Sequence, residues 1–268
     1  MVDTARAFGG SMPDYYDAIM GPAQFERFGA DLVQRVPERP PGDVLEIACG
    51  TGIVTRQLRE HLASSCRLFA TDISQAMLDY ARRKVRGAIE WRIADAQALP
   101  FGEAQFGALI CAFGIMFVPD KQLAFREASR VLRAGGLLLF NVWDGLENNL
   151  HGLAADEVST QLFPDDPEMK FGTIPYQFND RRALHAMLAE ASFGDVRMQS
   201  VRLACSAPSA RDFAVGQLRG TPRGALIEKR GKSVEPVIDV LAQKLAKIGG
   251  DAPFNYTAQA LVVEARRI

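Results

Sequence analysis

One run of residues constrains this chain more than any other: Val44-Leu45-Glu46-Ile47-Ala48-Cys49-Gly50-Thr51-Gly52. Val44, Leu45 and Ile47 form a short apolar run that suits a strand buried on both faces. Small residues follow at once. Val54, Leu58 and Leu62 then recur at i, i+4 and i+8, one face of a helix that starts near Ile53. The run therefore predicts a strand, a tight turn and a helix N-terminus. Gly50 and Gly52 take Cβ atoms away where a ligand must touch backbone, and the first free N–H groups of the helix face an anionic group. Glu46 ends the strand at the same crevice. An anion cradle beside a carboxylate suits a zwitterion, with N–H groups for its carboxylate and Glu46 for its ammonium.

Two further strands end in acids. Arg67-Leu68-Phe69-Ala70-Thr71-Asp72 places Asp72 20 residues beyond Gly52. In nucleotide-binding folds an acid at about that distance accepts from the ribose hydroxyls. Ser74 is a helix cap, with Met77, Leu78, Ala81 and Val85 on the buried side of the helix it opens. Ile89-Glu90-Trp91-Arg92-Ile93-Ala94-Asp95-Ala96 alternates and stops at Asp95. A fourth strand, Phe106 to Phe113, a helix carrying Leu123, Ala124, Ala128, Val131 and Leu132, and a fifth strand, Leu137 to Trp143, follow. Gly135-Gly136 is expected to end the helix between them.

The glycine loop resembles the cofactor loop of the Rossmann-like S-adenosylmethionine (SAM) methyltransferases, whose pattern is E/D-x-G-x-G-x-G. Here Glu46, Ala48, Gly50 and Gly52 occupy the four marked positions, with alanine at the first glycine. The run Leu132-Arg133-Ala134-Gly135-Gly136-Leu137 is also typical of that family. The resemblance covers residues 40 to 145 well and the final strands in outline, and the pattern is most like the small-molecule methyltransferases of ubiquinone and menaquinone biosynthesis. It implies a seven-stranded, mostly parallel, doubly wound α/β sheet with an antiparallel last strand and a helical lid. It also implies SAM as cofactor and S-adenosylhomocysteine as product. Asp95 would accept from the adenine amino group, and the backbone N–H of Ala96 would meet the ring. Tyr16, Ile73, Met77, Ala112, Phe113 and Phe117 complete the expected cofactor contacts, the aromatic faces among them attracting the sulfonium. The family usually has an acid after the phenylalanine of the fourth strand, where this chain has Gly107.

Alternatives are narrowed by what the chain lacks. A dinucleotide loop wants G-x-G-x-x-G, but counted from Gly50 the third glycine falls on Thr55. This weakens an NAD(P)-dependent oxidoreductase. A SAM-binding protein without catalysis remains open. Net charge is −1 with lysines and arginines dispersed, unlike a nucleic-acid binder. Where nucleic-acid amino methyltransferases carry N/D/S-P-P-Y/F, this chain has Cys111-Ala112-Phe113-Gly114. No apolar stretch is long enough to span a membrane, and residues 1–20 lack the layout of a signal peptide. Cys49, Cys66, Cys111 and Cys205 show neither CxxC nor metal-ligand spacing, so they read as reduced thiols with no metal site, in a cytoplasmic protein.

The whole chain, 1–268, reads as one SAM-binding domain with elaborations. Residues 1–36, with Tyr15, Tyr16, Phe25, Phe28, Leu32 and Val33, form an N-terminal helical arm across the mouth of the domain. Pro37, Pro40, Pro41 and Gly42 separate it from the first strand. The pattern loosens over 145–180, and 206–250 carries a capped helix from Ser209, a turn at Gly220-Thr221-Pro222 and an amphipathic helix from Val234 to Ile248. These stretches and the arm are the expected lid and substrate elements. A strand at 196–205 and another at 255–265 close the sheet as an antiparallel pair. The substrate reads as a small, partly apolar molecule that accepts methyl on O, N or C. A base is needed only if that atom is protonated at neutral pH. His151, beyond the fifth strand, is the best-placed imidazole for it.

Overall fold

The computed structural model describes residues 10–166, 169 and 174–268. The arm is one helical run: α1 (Met12–Tyr15) passes into a π-helical segment (Tyr16–Phe25) and then α2 (Glu26–Gln34). Pro22 lies inside the π-helical segment. A proline there has no N–H to give and crowds the carbonyl one turn back, which a wider turn accommodates. The core follows as β1 (Asp43–Ile47), α3 (Ile53–His61), β2 (Leu68–Asp72), α4 (Gln75–Lys84), β3 (Ile89–Ile93), β4 (Phe106–Ala112), α5 (Lys121–Val131) and β5 (Leu132–Trp143).

The seven strands lie in the order β3-β2-β1-β4-β5-β7-β6. β1 to β5 are parallel, and β7 (Phe254–Arg267) is antiparallel to both β5 and β6 (Phe193–Ala207). β6 therefore runs with the first five strands, and β7 is the inverted strand between them. The direction of winding reverses between β1 and β4, which opens a crevice at their carboxyl ends. All three acid-bearing strand tips lie on that side. β2 is buried along its whole length and β4 nearly so, as the apolar runs require, whereas edge strand β3 leaves Ile93 exposed.

Three local features depart from the pattern reading. Helix α5 stops at Val131, ahead of the glycine pair, because Leu132 already pairs with Phe106 in the sheet. Gly107 sits where a Cβ would lie 2.7 Å from the Pro41 carbonyl oxygen, so no side chain fits where the family usually has its acid. Residues Leu150–Leu162 form helix α6, where the sequence shows only a loosened pattern. Its buried side is His151, Gly152, Ala154, Ala155, Val158 and Ser159, small and polar residues that leave little apolar periodicity to read.

The later helices are α7 (Arg181–Glu190), capped by Asp180, α8 (Ala210–Arg219), α9 (Pro222–Lys229) and α10 (Glu235–Gly249). The expected cap at Ser209 is present, with its hydroxyl accepting from the Asp212 N–H at 2.9 Å, while the Asp212 carboxylate accepts from that same hydroxyl. The turn at Gly220-Thr221-Pro222 starts a further helix, with Thr221 as its cap and proline in its first turn. Helices α8 and α10 pack together, α6 packs on α10, and α8 lies on the π-helical segment of the arm. No helix among the described residues is long and apolar enough to cross a membrane.

Candidate functional site

The glycine loop is held open by backbone geometry. Ala48, Gly50 and Gly52 all have positive φ, at 52°, 55° and 83°. Alanine in the first position therefore adopts a left-handed conformation that glycine takes at no cost. The two glycines serve different ends. A Cβ on Gly52 would lie 2.7 Å from Val85 Cγ2, so this residue lets α4 approach the loop. A Cβ on Gly50 would meet nothing within 4 Å, so its bare face looks into open space.

Asp72 is built into the loop. It is buried, and its two oxygens accept from the Gly50 and Ser74 N–H groups, each at 2.8 Å. Burial raises its pKa, and the N–H groups of Ser74, Gly50 and Ile73 oppose the rise. A carboxylate offers about four acceptor sites, so these three backbone donors leave about one for a further donor. The Gly50 N–H is turned to Asp72, although the sequence suggests it would face an anion. Ser74 caps α4 by accepting from Met77 N–H at 3.3 Å.

Glu46 is 1 % exposed, and its Oε2 has no hydrogen-bond partner within normal geometry among the described residues. Burial pushes the Glu46 carboxyl up to about 8, with Thr55 opposing the rise and the Asp72 charge adding to it. A buried acid with an unused oxygen beside a bare glycine face fits a ligand that brings its own cationic donor. An amino-acid end such as that of SAM does so.

Asp95 lies half-buried at the tip of β3 and accepts from the Gln97 N–H at 2.8 Å and from the Gln97 amide. Ala96 and Ile73 are half-buried beside the other strand tips, and Met77 is buried in the first turn of α4. Ala112 ends β4, and Phe117 lies half-buried in the short 3₁₀ turn beyond it.

Phe113 sits within an aromatic cluster rather than against open space. It has φ 53° and stacks on Trp143 with ring centroids 4.1 Å apart. The rings of Phe25 and Phe28 meet it edge-on, both at 5.5 Å. The Phe113 N–H donates to Asn141 Oδ1 at 2.9 Å. Tyr16 stacks on Phe25 at 4.8 Å, so the arm closes over this wall. Burial raises the Tyr16 phenol, with the charges of Asp72 and Asp17 adding to the rise. This aromatic wall is shared between arm and sheet, and Trp143, which pattern reading did not single out, is at its centre.

His151 is 1 % exposed, ringed by Trp143, Tyr176, Phe213 and Tyr256 at 4.9 to 6.5 Å between centroids. Neither of its nitrogens has a hydrogen-bond partner, and burial pushes it down to about 3. The structure therefore places it inside the fold as a neutral ring of very low basicity, rather than as an imidazole open to the crevice. Asp144, another acid of that loop, is taken up by the Gln259 amide and the Ser200 hydroxyl. A cleft of about 630 Å³, lined in part by Arg27, Glu147, Arg202, Cys205 and Tyr256, reaches His151 from the β6–β7 ribbon. None of the glycine-loop residues Glu46–Gly52 lines it.

Three residues of the later segments escaped pattern reading: Tyr176, Gln217 and Arg223. Arg223 is buried without any side-chain hydrogen bond or ion pair among the described residues. An arginine at the start of a short helix gives no sequence signal of burial. Asn141 had one, a single amide in the apolar run Leu137–Trp143. Among the described residues no cluster of three His, Cys, Asp or Glu side chains could hold a metal.

Comparison with known proteins places this geometry in context. Residues 45–140 match the family model described as a methyltransferase domain. The chain is 35 % identical over 172 residues to the ubiquinone/menaquinone biosynthesis C-methyltransferase UbiE of Teredinibacter turnerae, covering 59 % of this chain and 69 % of the relative. It is 30 % identical over 160 residues to the malonyl-[acyl-carrier protein] O-methyltransferase of Hahella chejuensis, covering 54 % and 56 %. The fold is similar to that of phosphoethanolamine N-methyltransferase 2 of Haemonchus contortus, solved with S-adenosylhomocysteine. That match has a TM-score of 0.60 at 16 % identity and covers 100 % of this chain and 58 % of the other. The chain spans between about half and two thirds of the length of the first curated relatives it matches.

Proposed function

This chain belongs to the class I SAM-dependent methyltransferases of the ubiquinone/menaquinone-biosynthesis type, and from that membership we propose that it moves the methyl group of SAM to an O, N or C atom of a small, partly apolar metabolite in the cytoplasm. The observation that carries this reading is the tie between Asp72 and Gly50, beside the bare face of Gly50 and the unused Oε2 of Glu46. Together they suit a nucleoside joined to an amino acid.

In this reading Glu46 accepts from the ammonium and the loop Ala48–Gly52 lies along the amino-acid chain. Asp72 accepts from a ribose hydroxyl through its remaining acceptor site. Asp95 and the Ala96 N–H take the adenine edge, while Ile73 and Met77 cover its faces. Ala112, Phe113, Phe117 and Tyr16 enclose the sulfonium. Bound SAM supplies a methyl group already activated on sulfur.

The chain's own residues then position and dehydrate. The aromatic wall of Tyr16, Phe25, Phe113 and Trp143 excludes water where the two reacting atoms meet at about 3–3.5 Å. His151 is too weak a base near neutral pH to take a proton efficiently, so positioning carries the rate. The neutral charge balance and the absence of an N-P-P-Y type motif after β4 support a small-molecule acceptor over a nucleic acid. Labelled SAM incubated with the protein and a metabolite extract tests the proposal. Label in a small molecule is expected, and binding of SAM without transfer to any component would turn the reading to a non-catalytic SAM binder.

A further inference from the structure

The helices over the crevice hold a cation with no partner among the described residues. Arg223, in the first turn of α9, is 8 % exposed, and its Nε has no partner. Its guanidinium forms no hydrogen bond or ion pair among the described residues. Asp156 on α6 acts on it only at longer range, and Tyr176 also lies within range of its charge. A guanidinium cannot shed its charge to escape burial. Leaving it unpaired in the interior costs several kcal/mol by general experience.

Other polar groups of the later segments are also unused. Gln217 Oε1 and both nitrogens of His151 are buried and unpartnered. The Tyr176 hydroxyl lies where a Cβ on Gly152 would be 2.4 Å away, so it is held close against α6. Thr221 ties two of these positions together. Its hydroxyl donates to the Gln217 carbonyl and accepts from the Arg223 N–H.

This group adjoins the cofactor side. Trp143 stacks on Phe113 at 4.1 Å on one side and on Tyr176 at 6.2 Å on the other. Gly220, three residues before Arg223, touches the backbone of Tyr16: a Cβ there would lie 3.0 Å from Tyr16 N.

From this arrangement we infer that the methyl acceptor carries an oxyanion, a carboxylate or a group of like charge, that pairs with Arg223 beneath the lid. The inference rests on the methyltransferase reading for its term "acceptor". The anion supplies a counter-charge that no described residue gives, and Gln217, Tyr176 and His151 offer hydrogen bonds to the rest of the molecule. The aromatic neighbours favour an anion attached to a flat apolar body.

Calorimetry on the full chain loaded with S-adenosylhomocysteine tests this, with benzoate as probe and benzamide as its neutral counterpart. Benzoate should bind at least about tenfold more tightly than benzamide. Arg223→Met should abolish that preference while leaving affinity for S-adenosylhomocysteine unchanged, and Arg223→Lys should retain part of it. The ligand-free R223M protein should melt above the wild type, because an unpaired buried charge is gone. Equal affinity for the two probes, or a preference that survives in R223M, overturns the inference. So does an R223M protein that melts lower or fails to fold, since the arginine is then a structural cation. The probe comparison is repeated without S-adenosylhomocysteine, so that failure to bind the cofactor product counts against the methyltransferase reading alone.

Discussion

The Gly50 N–H donates to Asp72 Oδ2 across 2.8 Å, joining the glycine turn after β1 to the tip of β2. One carboxylate thus shapes the loop and, in the proposed reading, receives the ribose. Ser74 N–H on its other oxygen fixes the start of α4 in the same way. Replacing Asp72 by alanine should therefore do two things. Affinity for S-adenosylhomocysteine should fall by about 1.5–3 kcal/mol, the worth of hydrogen bonds to a charged acceptor. The melting temperature should fall as well, since two backbone donors lose their partner. A stability loss with unchanged affinity, seen by calorimetry and melting together, would make Asp72 a loop clamp only.

Glu46 predicts a pH dependence of binding. Without ligand its carboxyl is pushed up to about 8 and so is largely protonated at pH 7. Pairing with an ammonium needs the charged form. SAM affinity should therefore rise with pH up to about 8, and binding at pH 7 should release a proton. Titrations in buffers of different ionisation heat measure that release. Glu46→Gln should bind more weakly and release none.

The same residue and His151 act in opposite directions on the stability of the ligand-free protein. Glu46 has a raised native pKa, so it favours the folded state below its ordinary value near 4.5. That advantage drains away as pH rises towards about 8, by about 1.4 kcal/mol per unit. His151 has a lowered native pKa of about 3. It costs nothing above its ordinary value near 6.5 and destabilises as pH falls below it, at the same slope. E46Q should raise stability at pH 8. His151→Phe should flatten the acid side of the melting curve and retain most methyl transfer. Transfer reduced by a hundredfold or more in a well-folded H151F protein would restore a proton-transfer role to the imidazole.

Side chains of α4 and β7 are among those that tie down the π-helical segment of the arm. Tyr80 OH donates to Asp17 Oδ2, and Tyr256 OH donates to Gln24 Oε1, both at 3.0 Å. If the arm closes over bound cofactor, amides in 10–30 should exchange more slowly with S-adenosylhomocysteine present. Equal exchange in both states would remove the arm from the mechanism. Tyr16→Ala should weaken cofactor binding by about tenfold, through loss of the stack on Phe25 and of cover over the strand tips.

What the sequence determined by itself is the part whose chemistry is local. The strand–turn–helix of 44–62, the acids at three strand ends and the caps at Ser74 and Ser209 follow from short-range rules, because each residue's role depends on neighbours a few positions away. The inverted last strand was legible only through resemblance to a family. Tertiary structure alone decided where Gly50 points, since its partner Asp72 comes from another strand. It decided that Ala48 takes a left-handed backbone, that Gly107 is forced by the turn at Pro41, and that Trp143 rather than a loop phenylalanine centres the aromatic wall. The later helices were least legible. Helix α6 buries glycine, alanine, serine and histidine, which leave no apolar stripe to detect. The burial of Arg223 comes from the packing of helices separate in the chain, and no local pattern distinguishes an arginine bound for the interior from one bound for solvent.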